Sequence, residues 1–193
     1  MPLINLYFTP ALVLLGLTCS LWPMSQSLPV MSNGPMADSC VSYARTLLFN
    51  ITDVLNQKTL FSGIDCTKQN MELYKETSTP SVCTPQGSTC SGITTSTFHK
   101  ESCVTSIGKD LNYYYKFLTA QPGPTVLFSL QELMENCFSS FLPSDVELRE
   151  AAAELESSFD QRLRLCKVLK GFQVRAITIS RVIAYMSSGI HTK

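Results

Sequence analysis

Few residues in this chain have the types and spacing that chemistry needs. The sequence of 193 residues holds two histidines, His99 and His191, and eight cysteines. His99 lies in a Thr/Ser-rich stretch that would hold a general base poorly against a substrate. No G-x-S-x-G elbow, P-loop or dinucleotide fingerprint occurs. Cys83, Cys90, His99 and Cys103 include a C-x8-H-x3-C pattern that could be tried as zinc ligands. The group lacks the short C-x2–4-C hook of structural zinc sites. Tyr113, Tyr114 and Tyr115 could stack on bases, but the net charge is zero and no basic block offers phosphates a footprint. The expectation is therefore no catalysis, no cofactor, no metal and no nucleic acid.

The cysteines are better read by compartment. Residues 1–22 read as a secretory signal peptide, with an apolar core from Ala11 to Leu17 bounded by Pro10 and by Cys19-Ser20. That core is too short to span a membrane. Cleavage is expected between 19 and 27, and residues 23–37 read as a flexible leader. No later stretch is apolar and long enough for an anchor, so the expected product is secreted and extracellular. Removal of Cys19 leaves seven cysteines, hence at most three internal bridges and one odd sulfur. Spacing alone leaves the connectivity open.

Helical periodicity supplies the elements that would position these groups. A helix is expected from Asp38 or Ser39, with Cys40, Ala44, Leu47, Leu48, Ile51, Val54 and Leu55 on one stripe. Asn50-Ile51-Thr52 is the sole glycosylation sequon, at the stripe's edge. Residues 59–102 lack sustained periodicity and read as a long crossover pinned by bridges. Further helices fit 103–120, 125–141 and 158–187, with Pro122-Gly123-Pro124 between the first two and Pro143 after the second. Ser144-Asp145-Val146-Glu147 is a capping box. Whether residues 144–187 form one helix or two stays open at this point. The domain is expected over 38–188.

The last helix stands apart. Leu165, Val168, Leu169, Phe172, Ala176, Ile179, Ile183 and Met186 form a core stripe. Lys170, Val174, Ile177, Thr178, Arg181 and Tyr185 recur on the opposite side. A helix apolar on two faces is either covered by its own chain, here the crossover, or meets a partner.

The segment Cys166-Lys167-Val168-Leu169-Lys170-Gly171-Phe172-Gln173-Val174-Arg175-Ala176-Ile177-Thr178-Ile179-Ser180-Arg181-Val182-Ile183-Ala184-Tyr185 resembles the final helix of the interleukin-12 alpha family. That family has a similar C-x-L-L-x-x-F-x-x-R-A-x-T-I-x-R-V-x-x-Y run. Cys103 with Ser106-Ile107 and Asp110-Leu111 is similar to its second helix, and Glu132-Leu133-Met134 to its third. The resemblance implies an all-α, four-helix, up-up-down-down cytokine bundle with a long disulfide-pinned first crossover.

It also implies function. The chain would be the alpha half of a secreted heterodimer, paired with a receptor-like beta subunit and signalling through cell-surface cytokine receptors in immune regulation. The matching arginine in the family enters an acidic pocket of the beta subunit, which points to Arg181, flanked by Ile177, Tyr185, Val174 and Thr178. Arg175, on a flank of the same helix, is expected to matter less. The implied bridges are Cys66–Cys166, Cys83–Cys103 and Cys40–Cys90. Cys137 would then be unpaired, and its alignment with Met134, Phe138 and Phe141 predicts a buried thiol. The family carries its intersubunit cysteine between the positions matched by Cys83 and Cys90, where this chain has none. Alternative readings are a related interleukin-23 or interleukin-6 type chain, or a disulfide-stapled secreted carrier or inhibitor.

Overall fold

A computed structural model describes residues 36, 38–84, 99–121, 124–145, 147–148 and 158–188. The proposed signal peptide, the leader apart from Met36, and Cys90 lie outside the described residues. Five α-helices are described: α1 (Asp38–Leu55), α2 (Thr79–Val82), α3 (Lys100–Thr119), α4 (Pro124–Cys137) and α5 (Ser158–Ser187). Among the described residues there is no strand.

Side-chain contacts fix the directions of the four long helices. Ser187 Oγ donates to Asp38 Oδ1 at 2.7 Å, and Gln173 Nε2 donates to Thr52 Oγ1 at 3.0 Å. Moving up α1 therefore means moving down α5, so the two are antiparallel. Arg175 meets Asp110, and Phe172 stacks on Tyr114 with ring centroids 4.0 Å apart, which makes α3 antiparallel to α5 as well. The bridge between Cys40 and Cys137 joins the start of α1 to the end of α4, its packed neighbour, again antiparallel. The order is up-up-down-down.

The core follows the expected stripes on α1 and α5, while on α4 it turns by one position, burying Val126 and Leu133 where Leu127 and Phe141 were expected. Leu47, Ile51, Ile107, Leu111, Leu130, Leu133, Met134, Leu169, Ile179 and Ile183 are all fully buried. Burial of side chains this size contributes about 1.5–3 kcal/mol each before entropy is charged against it. Two glycines let bulky neighbours approach. A Cβ at Gly108 would overlap the Phe141 ring, and one at Gly171 would overlap the Glu72 carbonyl.

The crossover is docked by backbone contacts rather than by an apolar stripe. Glu72 N donates to Lys167 O at 2.9 Å, Lys170 Nζ donates to the carbonyls of Thr67 and Gln69, and Arg175 reaches Tyr74 O at 3.1 Å. Tyr74 also stacks on Tyr113, centroids 4.1 Å apart. One short helix, α2, lies within it.

The third long helix is shorter than the expected 125–141. It stops at Cys137, Phe138 turns out of helical geometry at φ −141°, and Ser139–Phe141 is a 3-10 turn. The turn lets the Phe141 ring fill the notch at Gly108 while Phe141 O accepts from Asn112 Nδ2 at 2.7 Å. Beyond it the capping box forms, with Ser144 N and Oγ donating to Glu147 Oε2 at 2.8 and 3.0 Å. Lys116 Nζ lies 2.5 Å from Glu147 Oε1, and this bond, followed by those from Ser144, holds the Glu147 carboxyl down to about 2.

The bridges differ from the implied set in one respect. Cys66 is bonded to Cys166 and Cys83 to Cys103, with Cα separations of 5.7 and 4.8 Å. Cys40 is bonded to Cys137, Cα separation 6.0 Å, and not to Cys90. The free-thiol reading of Cys137 is thereby corrected. Helical spacing aims Cys137 inward, and what it meets there is the sulfur of Cys40.

Candidate protein-binding interface

The outer face of α5 is built from residues three and four apart, which share one side of a helix. Toward the N-terminal end of that face the crossover covers the helix, and Lys170 is spent on holding it. Beyond Gly171, among the described residues, the crossover still reaches Arg175 through Tyr74 O, while the outer face opens at Val174. Val174 is 44% exposed, Arg181 is exposed, and Ile177, Thr178 and Tyr185 are half-buried. All five expected interface residues thus share one continuous face, with an arginine set among apolar and aromatic neighbours. Surfaces of that make-up are enriched at interface hot spots. Among the described residues Arg181 enters no ion pair.

Arg175 belongs to a different arrangement, and the expectation that it is an ordinary flank residue is corrected. It is 6% exposed, with Nε 3.2 Å from Asp110 Oδ2. Asp110 is fully buried and accepts from Thr77 Oγ1 and Thr79 Oγ1, both at 2.5 Å. Burial pushes the Asp110 carboxyl above its ordinary range, opposed by the two hydroxyls and then by Arg175. Four residues from three parts of the chain make a closed polar knot between the crossover, α3 and α5. It fastens the crossover to α3 and α5.

Sequence reasoning missed this knot, although a signal existed. Asp110 lies three residues from Ile107 and four from Tyr114, inside the buried stripe of α3, and Arg175 sits likewise between Phe172 and Ile179. A charge of each sign on facing apolar stripes points to a buried pair. Asn50 is half-buried on α1, next to Phe49, which is 70% exposed. Among the described residues no group of His, Cys, Asp and Glu could hold a metal, and no helix is long and apolar enough to cross a membrane.

No protein-family model matches the chain. Curated relatives do. The chain is 25% identical to the interleukin-12 subunit alpha of Lama glama, over 97% of this chain and 99% of that protein. It is 24% identical to the same subunit of Sus scrofa and 26% to that of Capra hircus, with the same coverage of both chains. The match spans nearly the full length of this chain and of those proteins. The chain is thus similar along nearly its whole length to interleukin-12 alpha subunits, at 24–26% identity, and its fold is an all-helical, disulfide-bonded bundle.

Proposed function

We propose that the chain is secreted as the alpha half of a heterodimeric cytokine, pairing through α5 with a receptor-like beta subunit and signalling through cell-surface cytokine receptors. The observation that carries the pairing is the uncovered second face of α5. Its core stripe is buried, Val174 is exposed, and Arg181 stands exposed between Ile177 and Tyr185. An arginine suits the anchor position because its planar fork can meet a carboxylate through two hydrogen bonds.

Co-expression with a receptor-like beta subunit should yield a secreted complex. In titrations of the purified chains, Arg181→Ala should cost at least about 2 kcal/mol of association, some thirtyfold in affinity. Lys109, exposed on α3, replaces Arg175 as the control, since Arg175→Ala would damage the fold. An affinity within twofold of wild type for Arg181→Ala would remove the anchor assignment.

The bridge pattern bears on whether the pair is covalent. With Cys40, Cys66, Cys83, Cys103, Cys137 and Cys166 committed internally, and Cys19 lost with the signal peptide, Cys90 is the odd cysteine. On this reading Cys90 is the thiol offered to the beta subunit. The complex should then survive non-reducing electrophoresis and separate in the Cys90→Ser variant. Survival of the band without Cys90 would exclude that role.

A further inference from the structure

We propose that Arg45 on α1 is a second cationic anchor, so that the seam between α1 and α5 receives a partner surface bearing paired carboxylates. The inference rests on the heterodimer reading and adds a residue and a partner chemistry to it.

The placement follows from register. Asp38 and Thr52 both face α5, since each is hydrogen-bonded to it. Arg45 lies midway, seven residues from either, and a spacing of seven returns a side chain to nearly the same side of a helix. Arg45 therefore lies on the stripe of α1 that looks at α5, and it is exposed. On α5 the facing stripe contains Gln173 and Ser187, and seven residues from each is Ser180. Arg181 is the next residue, turned toward solvent.

The levels match as well. Arg45 lies about 10 Å along α1 from the Asp38–Ser187 contact, and Arg181 lies about 9 Å along α5 from the same contact, at 1.5 Å per residue. Two exposed guanidinium groups therefore flank the seam at one height. An open groove of about 460 Å³ lies alongside, lined by Asp38, Val41, Arg45, Ala184 and Ser187 among others.

Charge decides the occupant. The chain as a whole is neutral, yet α5 has no carboxylate after Asp160 to offset Arg181, while Lys170 holds the crossover and Arg175 is paired with Asp110. Of the two carboxylates of α1, Asp38 accepts from Ser187 at the end of this groove, about 10 Å along the helix from Arg45, and Asp53 accepts from Gln57. Among the described residues neither Arg45 nor Arg181 has a salt-bridge partner. Like charges held at one level gain most from a surface that brings two carboxylates at once, and a singly charged or apolar partner leaves one of them unmatched.

The test is a titration of secreted variants against the receptor-like beta subunit at two salt concentrations. Arg45→Glu should weaken binding about tenfold or more, and Arg45→Gln by a smaller factor, with a shallower salt dependence in both. Arg45→Gln keeps the test open should the charge reversal impair secretion. Arg181→Ala run in parallel separates the two readings. If it weakens binding while both Arg45 variants stay within twofold, the second anchor is overturned and the pairing stands. If the wild-type chain binds no beta subunit, both fall. Self-association of the wild-type chain that Arg45→Glu abolishes would also overturn the proposal, by making a second copy the occupant.

Discussion

Replacing Arg175 with alanine is expected to cost about 3–5 kcal/mol of folding stability, read from the midpoint of urea denaturation. The loss is large because the substitution leaves the Asp110 carboxylate buried and without its counter-charge, not because the pair itself is strongly favourable. Two further results should follow from that cause. Asp110→Leu combined with Arg175→Met should recover most of the loss, since apolar replacement of both partners removes the orphan charge. The deficit of Arg175→Ala should also depend on pH. Burial already holds the Asp110 carboxyl above its ordinary value, and loss of the cation raises it further. A raised folded-state value means protonation favours the folded form. The stabilisation this gives is complete below the unfolded value and lost as pH rises through the folded one. The deficit should therefore be widest at neutral pH and shrink as the medium is acidified. A pH-independent deficit would show that packing of the arginine stem, and not charge, is what Arg175 supplies.

Converting both Cys40 and Cys137 to serine is expected to cost about 2–4 kcal/mol, seen as a lower thermal midpoint. The bond spans 97 residues of sequence, so its removal frees a very large loop in the unfolded chain. The chain-entropy estimate for such a loop is about 4.7 kcal/mol, and measured losses usually fall below it. Serine at both positions avoids leaving a new free thiol that could capture another cysteine. Peptide mapping of the unreduced protein supplies the direct check. Recovery of Cys40 joined to Cys90 would overturn the pairing with Cys137.

The helices were legible because burial imposes a 3.6-residue rhythm that 38–55 and 158–187 both display without interruption. The end of α4 was not. Phe138 and Phe141 continue the rhythm past Cys137, and only the notch at Gly108, 33 residues earlier, explains why the chain turns to fill it. Cys137 shows a deeper limit. A cysteine that packs inward as a thiol and one that reaches a cysteine on the next helix occupy the same stripe position, so spacing cannot separate them. The crossover was opaque for another reason. It is held by Lys170, by Lys167 O and by the close pass at Gly171, and hydrogen bonds to backbone leave no side-chain pattern. One trace was readable in retrospect. A glycine within a long apolar helix costs about 1 kcal/mol against alanine and usually signals a close neighbour. The five positions expected at an interface could be read as one face because a second stripe has the same periodicity as a core one.

The pairing of the first long helix with the last sets a timetable for biosynthesis. A chain made from its N-terminus at about 5–20 residues per second completes α1 long before α5 exists. Cys66 must wait 100 residues for Cys166, and Cys40 must wait 97 for Cys137, while Cys83 needs only the next 20. During that wait Cys40, Cys66, Cys83 and Cys90 are close in sequence and free to form wrong bonds with one another. Only thiol–disulfide exchange can undo those, and it is slow without an isomerase. The yield of correctly bridged protein should therefore be governed by the oxidoreductase capacity of the producing cell, and truncation within α5 should trap the whole chain in mispaired forms.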